Sequence, residues 1–265
     1  MGNDLVSIIM LSRDNGKFVQ ETVRSVFAQT YQNWEIVFMD DSSKDDTISQ
    51  MMDLMNEGRY KKADGFSESR IKVSQNVQEK GSGASLNSAL RDARGRWIAF
   101  LNVGDVWEPT KLEKQIAFME ENGYHLTYHK SQKINKDSKP LGGIVTGKQH
   151  ITIDDMLKCC WPSYLTVMYD AEVVGRLKSL NQKQENDYAL WLQACYKTDC
   201  YLLDECLSKH RTNKWFYNPL PIGNNIKWRY EVYRKIEDLG PFVSALYTIR
   251  NIWYGIWKKI KYVER

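Results

Sequence analysis

Four aspartate positions stand out by residue type and place. Asp40 and Asp41 end one short apolar run, and Asp105 ends the turn Asn102-Val103-Gly104-Asp105 after another. Asp187 opens the stretch Asp187-Tyr188-Ala189-Leu190-Trp191-Leu192. A carboxylate just past a strand can accept from a base or a ribose, or hold a divalent cation that carries phosphates. One at the head of a helix can simply complement the helix dipole. Singly, each reads as a cap or a solvated side chain. Their joint placement on one rim is what points to a functional site.

The elements that must build that rim are legible in the first 106 residues. Leu5–Leu11 and Trp34–Met39 are short, apolar and β-branched, as buried parallel strands are. Shorter strands are expected at Ile71–Val73 and Trp97–Leu101. Helices are expected between them: Phe18–Gln29, with Val19, Val23, Val26 and Phe27 at helical spacing; one through Met55, with Ser43 and Asp46 in capping-box spacing; and Ser85–Ala93. This alternation predicts an α/β fold with helices on both faces of the sheet. Ligands of open α/β sheets bind beyond the carboxyl ends of the strands, which here are loops 11–15, 40–45, 76–84 and 102–106. All four are polar or glycine-rich.

Beyond residue 106 the pattern changes. Helices are expected at Pro109–Asn122, Ile153–Cys160 and, strongly amphipathic, at Asp187–Tyr196. Strands are expected at Tyr124–Ile134 and Tyr164–Tyr169, with a hairpin-like turn through Asn135–Gly143. A long helical region closes the chain after Asn218-Pro219-Leu220-Pro221. We therefore divide it into residues 1–106, 107–215 and a tail at 216–265.

Composition removes other classes. The 265 residues carry 37 Lys+Arg against 33 Asp+Glu, a net +4 too weak and too mixed for a nucleic-acid binder. The five cysteines, all in the second half, match no zinc spacing and read as reduced, buried thiols of a cytosolic protein. His125 and His129 share one face of a strand, where that spacing does not make a zinc site. No run reaches the roughly 18 apolar residues of a membrane span, and the first apolar stretch lacks a basic region before it. Aromatic content is high at 12%, with nine tryptophans.

Three segments resemble family-2 glycosyltransferases of the GT-A fold, in order and spacing: VSIIMLSRDNGKFVQETVRSVFAQTYQNWEIVFMDDSSKDDT, RWIAFLNVGDVWEPTKLEKQIAFME and NDYALWLQ. The similarity runs from about residue 5 to 211 and is greatest to bacterial teichuronic-acid, capsule and O-antigen types. It implies a Rossmann-like mixed sheet whose residues 1–106 bind a nucleotide-sugar, expected to be UDP-linked, and whose residues 107–215 bind a glycan or lipid-linked acceptor. Leu11, Ser12, Arg13 and Asp14 would line the nucleotide, with Asp41 beside Asp40, which would accept the imide hydrogen of the base. Lys80 and Gly83 would pass near the ribose or sugar. Asn102 to Asp105 occupies the position of the family's metal motif, with Asp105 as ligand of Mg2+ or Mn2+. Asp187 would be the general base, Tyr188, Trp191 and Trp107 would shape the acceptor pocket, and Arg211 would lie near the diphosphate. The implied reaction is a single displacement that inverts the anomeric carbon.

The departures carry information too. Asn102 and Gly104 stand where the family has carboxylates, so a cation would be held by fewer charges and bind more weakly. That opens a second reading, a catalytically impaired relative that binds without turnover. A nucleotidyltransferase is disfavoured because no glycine-rich phosphate loop lies near the start. In the tail, Ile249, Ile252, Trp253, Ile256, Trp257 and Ile260 share one helical face, while residues 242–265 hold five basic groups against Glu264. Such a face suits an anionic membrane surface, its own domain or a second subunit. The expected location is the cytoplasm, with the inner face of the membrane as the place of any peripheral contact.

Overall fold

The computed structural model describes residues 4–56, 70–78, 81–179, 187–212, 222–235 and 237–264. The first elements are β1 (Val6–Ser12), α1 (Gly16–Phe27), β2 (Trp34–Asp40), α2 (Thr47–Asn56), β3 (Ile71–Gln75), α3 (Ser82–Asp92) and β4 (Trp97–Phe100). They continue as β5 (Val106–Trp107), α4 (Lys111–Asn122), β6 (Leu126–Ile134), β7 (Pro140–Val145), β8 (His150–Ile151) and α5 (Ile153–Lys158). Next come β9 (Met168–Asp170), α6 (Ala171–Val174), α7 (Asp187–Cys195) and β10 (Cys200–Arg211). The last are α8 (Ile222–Lys235), α9 (Pro241–Lys261) and β11 (Val263–Glu264).

The strands join in one mixed sheet in the order β3-β2-β1-β4-β9-β6-β7-β11, with β10 beside β6. Strands β3, β2, β1 and β4 run parallel. β9 is antiparallel to both β4 and β6, so it links the parallel half to the second half. Alternation along β1 and β2 feeds two cores. Ile9, Leu11, Val37 and Met39 face one side with α3 and α7, while Ile8, Met10, Ile36 and Phe38 face the other with α1 and α4. Both faces are thus covered, which is why these strands read as continuous apolar runs.

Four local expectations are corrected. The Ser43/Asp46 capping box is absent: Ser43 Oγ turns to Asp40, and the Asp45 carboxylate accepts from the Thr47 N–H at 3.0 Å at the start of α2. Tyr164–Tyr169 is not one strand but a 3-10 turn, Tyr164–Thr166, followed by β9. α7 is not amphipathic, because Tyr188, Ala189, Leu190, Trp191, Leu192, Ala194 and Cys195 are all buried. β10 was not anticipated, since Asp204, Glu205 and Lys209 and two register shifts against β6 blur its alternation.

Candidate active site

The rim is built by parallel register. β1 and β2 pair from Val6↔Trp34 to Ser12↔Asp40, which sets Ser12 and Asp40 side by side at the carboxyl end of the sheet. The Asp41 N–H donates to Ser12 O and the Asn76 N–H to Asp40 O, so the loops leave in step. Side chains then tie loop to loop. Asp40 Oδ2 accepts from the Ser43 N–H at 2.8 Å and from Gln75 Nε2 at 3.0 Å. Asp41 accepts from Asn76 Nδ2 at 2.8 Å and from the Gly81 N–H at 3.0 Å, which anchors the approach to α3. Asp14 and Ser42 take left-handed backbone, φ 51° and 64°. There the Asp14 N–H reaches Ser43 Oγ, and Asp14 Oδ1 receives the Lys44 N–H, both at 2.8 Å. Gly16 closes the zipper, donating to Asp45 Oδ2 at 2.9 Å. Partial burial pushes the Asp45 pKa up, but hydrogen bonds from the Thr47 hydroxyl and the Gly16 and Thr47 N–H groups outweigh it and hold the carboxyl below its usual value.

The loop after β4 is held from beneath by α1. Thr22 and Ser25 on that helix, and Gln29 just past its end, are buried polar residues. Thr22 Oγ1 donates to Asp105 O at 2.8 Å and accepts from the Gly104 N–H at 2.9 Å, and Gln29 bonds Glu108 O and the Leu112 N–H. Gly104 has φ +113°, a conformation strained for any L side chain, so the missing carboxylate there matches the backbone.

Asp105 Oδ1 accepts from the Arg211 N–H at 2.9 Å and pairs with His210 Nδ1 at 3.0 Å. Burial disfavours the charged imidazole, but Asp105, by charge and hydrogen bond, raises the His210 pKa above its ordinary value. Lys133 opposes the rise and Asp187 adds to it. His210 therefore feels carboxylates from two distant parts of the chain, the β4 loop and the head of α7. No local signal in the sequence singles out His210, because its partner Asp105 lies 105 residues away in the chain.

The remaining expected residues divide. Leu11, Ser12, Asp40, Asp41 and Asp105 are buried at the rim, Gly83 lies in the first turn of α3, and Arg13 and Asp14 are exposed. Lys80 lies outside the described residues. Arg211 is corrected. All five guanidinium N–H groups are engaged: Nε with Gly104 O, Nη1 with Asn135 O and Lys136 O, and Nη2 with Glu21 and Ser138 Oγ. The guanidinium also lies 4.4 Å over the Phe18 ring, so Arg211 braces the Gly104 loop and has no donor for a phosphate. The three aromatic residues are corrected as well. Trp191 is fully buried against Phe100, Trp107 donates to Leu165 O, and Tyr188 is hydrogen-bonded to Tyr233 inside the core. All three are buried and pack inside the second half of the sheet rather than lining an open pocket.

A divalent cation of the Mg2+ or Mn2+ type finds a partial ligand set here. No hydrogen bond reaches Asp105 Oδ2 from the described residues, and Asn102 Oδ1 is a buried oxygen without a hydrogen-bond partner. With the His210 imidazole these are donors that Mn2+ accepts and that leave positions for phosphate oxygens. Among the described residues no group of three or more His, Cys, Asp or Glu side chains forms a preassembled site. His125 and His129 make none either; burial pushes the His129 pKa down to about 3. All five cysteines are unpaired thiols, as expected.

Known proteins are similar to this chain in sequence and fold. The chain is 38% identical over 266 residues to the Escherichia coli UDP-Glc:alpha-D-GlcNAc-diphosphoundecaprenol beta-1,3-glucosyltransferase WfgD, covering 97% of this chain and 96% of that one. It is 33% identical over 243 residues, 89% of each chain, to TuaG of Bacillus subtilis, a glycosyltransferase whose name assigns it to teichuronic acid biosynthesis. Among solved structures, Staphylococcus aureus TarS in complex with UDP superposes with a TM-score of 0.64 at 19% identity, over 90% of this chain and 68% of that one. A Pyrobaculum calidifontis mannosyltransferase in complex with GDP-Man and Mn2+ gives 0.63 at 14%, over 92% and 68%. Those two likenesses concern the fold, which is GT-A. The model of glycosyl transferase family 2 matches residues 7–160, more than half of the chain, and the protein belongs to that family as a glycosyltransferase.

Proposed function

We propose that the chain transfers a sugar from a UDP-linked donor to a lipid-linked glycan, with inversion at the anomeric carbon, in surface polysaccharide assembly at the inner face of the membrane. The observation that carries this reading is the Asp105 carboxylate at the end of the parallel strands, held by the Arg211 N–H and His210 beside the buried, unpartnered Asn102 Oδ1. It supports a donor-side site with oxygen atoms left for a cation and phosphates. The WfgD name, with its UDP-Glc donor and diphosphoundecaprenol acceptor, supports the substrate classes.

In this reading residues 1–106 hold the donor. Asp40 and Asp41 shape the base and ribose side of the rim, with Ser12, whose buried Oγ lacks a partner, available to the nucleotide. A cation held by Asp105, Asn102 and His210 would offset the charge of the departing diphosphate. Asp187 takes the proton from the acceptor hydroxyl on the opposite face of the sugar. Residues 107–215 frame the acceptor, and 216–265 follow as a helical tail.

A second reading, binding without turnover, is favoured by Asn102 and Gly104 in the metal motif. One experiment separates the two. A panel of UDP-sugars with Mn2+ is screened by thermal shift, and the best donor is offered with a polyprenyl-diphosphate sugar. Product with inverted anomeric configuration, lost in Asp187→Asn, supports transfer. Donor binding without product, with turnover gained in Asn102→Asp, supports the impaired reading.

A further inference from the structure

Helix α9 is packed the unusual way round. Its polar side faces the protein: Ser244, Thr248 and Asn251 are buried, Asn251 Nδ2 donates to Tyr233 Oη at 3.1 Å, and Lys258 Nζ donates to Cys160 O and Trp161 O. Its apolar side faces out. Phe242, Leu246, Ile249, Trp253, Ile256 and Ile260 stand 76, 51, 65, 70, 55 and 77% exposed, at spacings of four and three residues along 18 positions. Val243 and Trp257 widen the stripe beyond a narrow seam. Of the alternatives left open for this face, packing on its own domain is not seen among the described residues. Among the described residues no helix is long and apolar enough to cross a membrane, so α9 is not a span.

We infer that this stripe docks the protein on an anionic phospholipid surface, with α9 lying in the interface plane. Charge selects this occupant over a second copy of the chain. The sequence Pro241–Lys261 contains no acidic residue, and besides Lys258, which turns to the Cys160 and Trp161 carbonyls, it carries Arg250, Lys259 and Lys261. Two such helices brought together would set positive against positive with no acidic residue of the helix between them. Anionic headgroups supply the opposite charge, since each Lys or Arg near such a surface adds to binding. Arg250 and Lys261 sit at one margin of the stripe, and the Lys261 ammonium lies 4.6 Å over the Trp257 ring. Trp253 and Trp257 are ring types that rest at the level of the headgroups. The inference deepens the reading of a lipid-linked acceptor, because it says how the site reaches a substrate anchored in a bilayer.

Vesicle flotation of the full chain tests it directly. Vesicles of phosphatidylcholine are compared with vesicles in which about one third of the lipid is phosphatidylglycerol. The expected result is flotation with the anionic vesicles, weaker in high salt, and reduced about tenfold or more in the triple variant Ile249→Glu, Trp253→Glu, Ile260→Glu. These positions are solvent-exposed, so the variant keeps its fold, and an unchanged thermal shift by UDP verifies this on the same sample. No flotation, or equal flotation of the triple variant, overturns the proposal. So does a dimer by light scattering that the triple variant splits while neither form floats. Flotation is read without donor or acceptor, so failed sugar transfer with intact flotation would indict the proposed reaction and leave the docking surface standing.

Discussion

The strand-end rim and helix α9 place polar and apolar groups in opposite ways. At the rim, Asp40, Asp41 and Asp105 are buried, yet each is met by donors from another loop, so burial carries no unpaired charge. On α9, apolar groups are exposed among the described residues, while Ser244, Thr248 and Asn251 occupy the inside. The tryptophans divide the same way. Trp34, Trp97, Trp107, Trp161 and Trp191 are core residues, whereas Trp253 is 70% exposed. Buried polar groups with long-range partners fix a geometry. Exposed apolar groups at one spacing prepare a surface.

Substitutions should respect that division. The largest expected effect is chemical: Asp187→Asn lowers kcat about 10²–10⁴-fold while the thermal shift by UDP is retained. A loss below tenfold, in a steady-state transfer assay, removes Asp187 from the base role. Next comes the core. Trp191→Ala should cost about 3–5 kcal/mol in urea unfolding, because the ring is fully buried. A neutral result with a raised acceptor KM would instead return Trp191 to the acceptor pocket. Asp41→Asn should cost about 1–3 kcal/mol and raise the donor KM, since an amide sets a donor against Asn76 Nδ2 or the Gly81 N–H.

The pH effect is smaller. The His210 pKa is raised on folding, so its stabilising contribution is complete below the unfolded value of about 6.5 and lost as pH rises through the folded value. The side chain is 40% exposed, so solvent screening keeps the effect modest. Tm measured from about pH 6 to 8.5 should fall more in the parent than in His210→Gln; parallel curves would detach His210 from Asp105. Smallest of all, Trp253→Ala should leave unfolding within about 0.5 kcal/mol, as exposed positions do. A larger cost would mean α9 packs against the protein after all.

Much of the first half was legible because its physics is local. Parallel strands covered on both faces must be apolar throughout, so Leu5–Leu11 and Trp34–Met39 announce β1 and β2, and the loops after them follow by rule. The acidic positions were legible for the same reason. The second half was harder. β10 mixes charged and apolar residues across register shifts, and its partners lie in β5, β6 and β8. The polar residues Thr22 and Ser25 on α1, with Gln29 just past its end, were a readable signal for the support of the β4 loop, hidden among apolar neighbours.

By itself the sequence determined the family, the sheet that carries the site, the aspartates at its rim and the periodic apolar face of α9, because residue type and spacing are properties of short segments. Only the tertiary structure decided what those groups touch. Arg211 became a brace because its five acceptors come from residues 21, 104, 135, 136 and 138. His210 met Asp105, and α9 turned its apolar side outward while Tyr233, Cys160 and Trp161 took hydrogen bonds from its polar side. Those partners are far apart in the chain, and no local pattern encodes which of them will meet.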